Sequence, residues 1–213
     1  MDSIKHHLSD DLLMGYASGN LPEAFDLVVA THISMCDECR ARLGSFDAIG
    51  GAVLDECADS STELDLDATW RLIEAGPKDP IRVERPVGVF PKVLQDYVGG
   101  DLDAVQWRSV GMGVRQAILK TSNDAKVRLL HIPAGHAVPD HGHRGTELTL
   151  VLQGAFQDEI DYFGRGDIEI ANEEMEHTPV AANGLDCICL AATDAPLRFN
   201  GLIHKIAQPF LRI

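Results

Sequence analysis

No apolar run in the 213-residue chain approaches the ~20 residues a helix needs to cross a bilayer. The N-terminus also lacks the basic, apolar and small-residue succession of a signal peptide, so a cytoplasmic protein without membrane partners is expected. Its apolar stretch at 27–30 is closely flanked by Asp26 and His32. Basic residues are scarce: 18 Lys and Arg stand against 33 Asp and Glu, a formal charge of −15. Phosphate contacts need clustered cations, which argues against direct binding of DNA or RNA. The five cysteines are an odd number, which argues against a disulfide framework and puts metal or redox roles first. Internal repeats and low-complexity tracts are absent.

What is present is unevenly distributed. Residues 1–76 carry 15 acidic and 4 basic side chains, a net of −11, while residues 77–213 carry 18 and 14, a net of −4. An acidic N-terminal third suits a basic protein partner, because complementary charge speeds encounter and rejects wrong partners. That third reads as helical. Ser9 is a candidate N-cap before Asp10 and Asp11, and Leu12, Leu13, Tyr16 and Ala17 form a stripe ending at Gly19. Pro22 fits the first position of a second helix, with Ala24, Phe25, Val28, Val29 and Ile33 at helical spacing. A third is expected from about Cys36 to Leu54, loosened at Gly50–Gly51. A fourth, 66–75, is amphipathic around Leu66, Trp70 and Ile73 and follows a polar connection.

Pro77, Pro80, Pro86 and Pro91 then predict an extended linker over 77–92. Beyond it the period shortens, and strands are expected at 125–132, 147–151, 156–158, 167–170 and 187–192. The predicted fold is therefore two domains, α then β: helices over 1–76, and a β sandwich or barrel over 93–213.

Two motifs carry chemistry. His32, Cys36 and Cys39 form HxxxCxxC, whose offsets of four and three bring the side chains to one face at a helix start. Imidazole with thiolate is a zinc set, and a closed tetrahedron needs a fourth ligand, for which the residues offer His6 and His7. The second motif is Gly135-x5-His141-x-His143-x3-Glu147-x6-Gly154. His141 and His143, two apart, point to one side of a strand, and Glu147 follows. Two imidazoles and a carboxylate suit zinc, iron, manganese, nickel or copper, and His177 stands where a later strand could add a ligand.

The first motif resembles the zinc-binding anti-sigma family, marked by an N-terminal His some two dozen residues before HxxxCxxC. The resemblance implies a three-helix bundle with a detached fourth helix that clasps a sigma factor, and it places the fourth ligand of a structural zinc at His7, with His6 as fallback. The second resembles the first cupin motif, which implies a cupin barrel of jelly-roll type holding zinc or another divalent transition metal. The second cupin motif is degraded: Gly166-Asp167 begins it, but the usual turn is replaced around Asn172-Glu173-Glu174. Together the halves resemble ChrR-type anti-sigma factors over essentially the full length. That implies a 1:1 complex with an extracytoplasmic-function sigma factor, released when singlet oxygen or a related oxidant acts through the cupin half, and no enzyme activity.

A rival reading is a metal-dependent cupin enzyme, such as a small dioxygenase, with the helices serving assembly. It accounts for His141, His143, Glu147 and His177 but not for HxxxCxxC, the acidic third or the fourth helix. A metal-storage or zinc-sensing protein accounts for both motifs but not for the fourth helix. Cys57 is expected in the core, and Cys187 and Cys189 as a small-residue core pair, since residues two apart on a strand are poorly placed for a disulfide. His131, His136 and His204 are expected as surface or packing residues.

Overall fold

The computed structural model describes residues 3–57, 65–76, 88–138, 141–142, 144–173, 176–195 and 198–199. Helix α1 (Asp10–Ala17) begins where Ser9 accepts the Leu12 N–H, with Asp10 and Asp11 at the positive end of its dipole. Helix α2 (Glu23–Met35) has Pro22 immediately before it, one place earlier than expected. Helix α3 (Asp37–Glu56) starts after Cys36, whose sulfur accepts the Cys39 N–H, and runs unbroken through Gly50 and Gly51. Helix α4 (Leu66–Ala75) is capped by Asp65, which accepts from Ala68. None of the α4 side chains is buried. Among the described residues, no helix is long and apolar enough to cross a membrane.

Residues 77–87 of the expected linker lie outside the described residues. The remainder is built into the fold: Phe90 is buried, and Pro91 precedes a further helix, α5 (Lys92–Val98), which ends at left-handed Gly99. The linker expectation missed this helix because Pro91 was taken as a breaker, whereas proline suits the position just ahead of a helix.

The strands are β1 (Arg108–Gly111), β2 (Val114–Leu119), β3 (Lys126–Ile132), β4 (His141–Gly142), β5 (Glu147–Gln153), β6 (Ala155–Gln157), β7 (Tyr162–Gly164), β8 (Ile168–Ala171), β9 (Glu176–His177), β10 (Val180–Ala181), β11 (Cys187–Thr193) and β12 (Arg198–Phe199). They pair antiparallel in three sheets of order β1-β2-β3-β11-β5-β8, β10-β6-β7 and β12-β4-β9. The large sheet has two distinct faces, as period-two alternation requires. Val127 and Leu129, Leu148, Leu150 and Leu152, and Ile188, Leu190 and Ala192 belong to one core with α1 and α2. Leu130 and Ile132, Val151, Cys187 and Cys189 turn to the other side, with Phe156 and Phe163.

Helix α2 thus lies directly on the outer face of the large sheet. Helix α2 contacts β3, β5 and β11 as well as α1, α3 and α5, and its residues are buried on nearly every side, including Leu27 and Thr31 outside the expected stripe. A helix covered all round is a core element. The helical and strand regions therefore share an apolar core. At the edge of this contact, Glu23 accepts from the Tyr97 hydroxyl and the Ser122 N–H.

Candidate metal centres

Four residues from three segments converge beside α3. His7 Nδ1 lies 3.3 Å from Cys36 Sγ and 3.7 Å from Cys39 Sγ, and His32 Nε2 lies 3.3 Å from Cys39 Sγ. All four donor atoms fall within 4.8 Å of one another. A tetrahedron with ligands about 2.0–2.3 Å from a zinc ion has edges of about 3.3–3.8 Å, so both the spacing and the donor set fit that ion. HxxxCxxC achieves this because His32 sits in the last turn of α2 and Cys36 and Cys39 in the tight passage into α3. Burial, then His7, pushes His32 down to about 4, which keeps its imidazole in the neutral form that binds metal. Burial pushes the Cys39 thiol up to about 11, so a cation is needed to hold it as thiolate at neutral pH. Glu38 stands 3.3 Å from the other nitrogen of His7, the position of an orienting carboxylate.

His6 is not in this cluster. Its Nε2 lies 3.1 Å from Asp161 and its ring 4.4 Å from that of Phe163, both on the barrel. The barrel also grips the backbone here: Asp167 accepts the N–H groups of Lys5 at 2.6 Å and His6 at 3.0 Å, and Ile168 N–H reaches the His6 carbonyl at 3.4 Å. Gly166, at φ +93°, has a backbone conformation other residues rarely adopt, and a Cβ there, 2.6 Å from Ile4 Cδ1, would also force Ile4 to shift. Gly166-Asp167, read as the opening of a degraded motif, thus holds the segment that carries His7.

This arrangement separates the two histidines. His7→Ala is expected to remove most of the metal from the helical site. His6→Ala is expected to retain it, because His6 lies outside the cluster and its Asp161 partner is exposed. Zinc content by mass spectrometry with thermal melts distinguishes them, and the opposite ranking would reverse the assignment.

The second cluster lies inside the barrel. His177 is buried, with Nδ1 3.0 Å from Glu169 and 3.3 Å from Asp158. These three residues bring their donor atoms within 4.8 Å of one another. Burial opposes charge on His177, but Glu169 and Asp158 prevail and raise it to about 9. Burial raises the Glu169 carboxyl. It raises Asp158 too, but the N–H groups of Asp161 and Ile160 hold that carboxyl below its ordinary value.

Of the expected barrel ligands, His141 stands directly opposite His177 in the β4–β9 register, and Glu147 opens β5 with its carboxylate accepting from Thr149 at 3.1 Å. His143 lies outside the described residues. Asp158 and Glu169 were not anticipated, because their spacing from His177 matches no motif. The strands need only close for the three to meet. Carboxylates on Nδ1 leave Nε2 of such a histidine as the metal-facing nitrogen.

The remaining cysteines divide. Cys187 and Cys189 are buried with sulfurs 3.4 Å apart, as a core pair. Cys57, expected in the core, is exposed at the end of α3, where the helix has left the bundle.

A family model described as the ChrR cupin-like domain matches residues 95–195. The chain is 59% identical over 212 residues, 99% of its own length and 100% of the relative's, to the anti-sigma-E factor ChrR of Cereibacter sphaeroides. It also resembles a chain in the crystal structure of Rhodobacter sphaeroides SigE in complex with the anti-sigma ChrR, with 56% identity and a TM-score of 0.75. That match covers 90% of this chain and 100% of the other.

Proposed function

The chain belongs to the ChrR family of anti-sigma factors, and from that premise we propose that it holds an extracytoplasmic-function sigma factor one to one and releases it on a singlet-oxygen-type signal received by the barrel. In this reading residues 1–76 do the holding and 93–213 the sensing. A structural zinc sits on His7, His32, Cys36 and Cys39. A divalent transition metal in the barrel is held by His141, His143, Glu147 and His177, with Asp158 and Glu169 orienting His177.

The observation that carries the proposal is apolar surface with no partner among the described residues. On α4, Leu66, Trp70, Leu72 and Ile73 are 60–78% exposed, and Ile49, Val53 and Leu54 on the far part of α3 are 56–71% exposed. Apolar faces of this extent mark interaction sites, and an amphipathic helix laid into a partner's groove is a recurrent mode. The acidic charge of the same segment favours a basic partner.

Trp70→Asp is accordingly expected to weaken sigma-factor binding by at least about tenfold, the loss typical of a buried aromatic anchor. The free protein should change by no more than about 0.5 kcal/mol, since the side chain is exposed. Co-purification after co-expression, with melts of the free variant, measures both. Undiminished co-purification would place the interface elsewhere.

A further inference from the structure

Inside the barrel, one cation stands out among acids. Arg128 alternates with Val127 and Leu129 of the helix-facing core, so it projects from the opposite face of the large sheet into the barrel. It is 4% exposed. Strand register places it in a row with Ala191, Thr149 and Glu169. Glu147 belongs to the neighbouring row, opposite Thr193.

A guanidinium has five N–H donors and cannot shed its proton to escape burial. Among the described residues, Arg128 makes one protein hydrogen bond, from Nη1 to Gln116 Oε1 at 3.5 Å, the outer limit of such a contact. Among the described residues, no carboxylate forms an ion pair with it within 4 Å. Buried charges are ordinarily paired, and among the described residues this one has a single long contact, with Gln116.

We infer that the barrel interior is a receptor for a small organic monocarboxylate, its carboxylate seated on Arg128 and its apolar part directed along the sheet. One guanidinium matches one planar carboxylate bidentately. The carboxylate of Glu147, whose charge acts on Arg128, disfavours a more highly charged anion such as phosphate. Further along the same face the wall becomes apolar, through Leu130, Ile132 and Val151 to Phe156 stacked on Phe163 at 4.9 Å. A polar anchor followed by an apolar wall is the usual build of a small-molecule pocket.

The test is calorimetric titration of the full-length, metal-loaded protein with benzoate and octanoate, against octan-1-ol and inorganic phosphate. At least one carboxylate should bind saturably at one per chain, and the alcohol and phosphate at least tenfold more weakly. Arg128→Gln should weaken carboxylate binding at least tenfold. Arg128→Lys, which keeps the charge but not the fork, should fall between it and the parent and covers the case in which the glutamine variant does not fold. Absence of saturable binding by both carboxylates, equal binding of octanol, or unchanged affinity in a folded Arg128 variant would overturn the inference. Co-purification with the sigma factor is measured in parallel, so a failure of the pocket and a failure of the anti-sigma reading appear in different assays.

Discussion

Cys36→Ser and Cys39→Ser are expected to lose the zinc of the helical site and, with it, inhibition of the sigma factor. Both sulfurs are buried, and each stands against a histidine of the cluster. A closed zinc site contributes its binding free energy to folding, and serine is a poor substitute for thiolate. Apart from the metal cluster, the His7 segment is fastened by Asp167, by the contacts of His6 with the barrel, and by buried Leu8, whose carbonyl accepts from Arg42. Loss of even a few kcal/mol should lower the melting temperature by on the order of 10 °C in a chain of this size. Zinc stoichiometry, thermal melts and sigma-dependent transcription in vitro read the three consequences separately. Cys57→Ser is the control, since that thiol is exposed and outside the cluster. A cysteine variant that stays zinc-loaded and inhibitory would remove the site from the mechanism.

The second large effect is expected in the barrel, and there it is response rather than holding that should fail. Glu147→Ala and His177→Ala should still bind the sigma factor, because α4 and the outer part of α3 are untouched, but should release it poorly on exposure to singlet oxygen. A double replacement of His141 and His143 should be more severe. Two short stretches link the barrel cluster to the zinc segment. Asp158 meets His177 while Asp161, in the same turn, meets His6. Glu169 meets His177 while Asp167, two residues earlier, holds the Lys5 and His6 N–H groups. On the proposed reading, a change of packing around His177 would reach the residue next to His7 through these contacts, with no long lever needed. Sigma-dependent reporter output with and without a singlet-oxygen source, at equal protein by immunoblot, measures the effect. Normal induction by a stable variant lacking the barrel metal would move sensing to the zinc thiolates.

The order and type of the elements could be read from local chemistry. Ser9 opens a helix because its oxygen caps the backbone two or three residues on, and α4 falls on the residues whose apolar spacing announced it. HxxxCxxC is legible for the same reason, since its three donors are brought together by one helix turn and the passage into the next. Tertiary structure alone decided between His6 and His7. Neighbours in an extended segment point opposite ways, and the phase of that alternation is set by Asp167, about 160 residues distant. It also decided the partners of His177 and the burial of Arg128, which in the sequence is one basic residue in an ordinary strand. Period two tells which residues share a face of a strand, but not whether that face meets helices, solvent or a cavity. Only the closing of the sheet under α2 makes that choice.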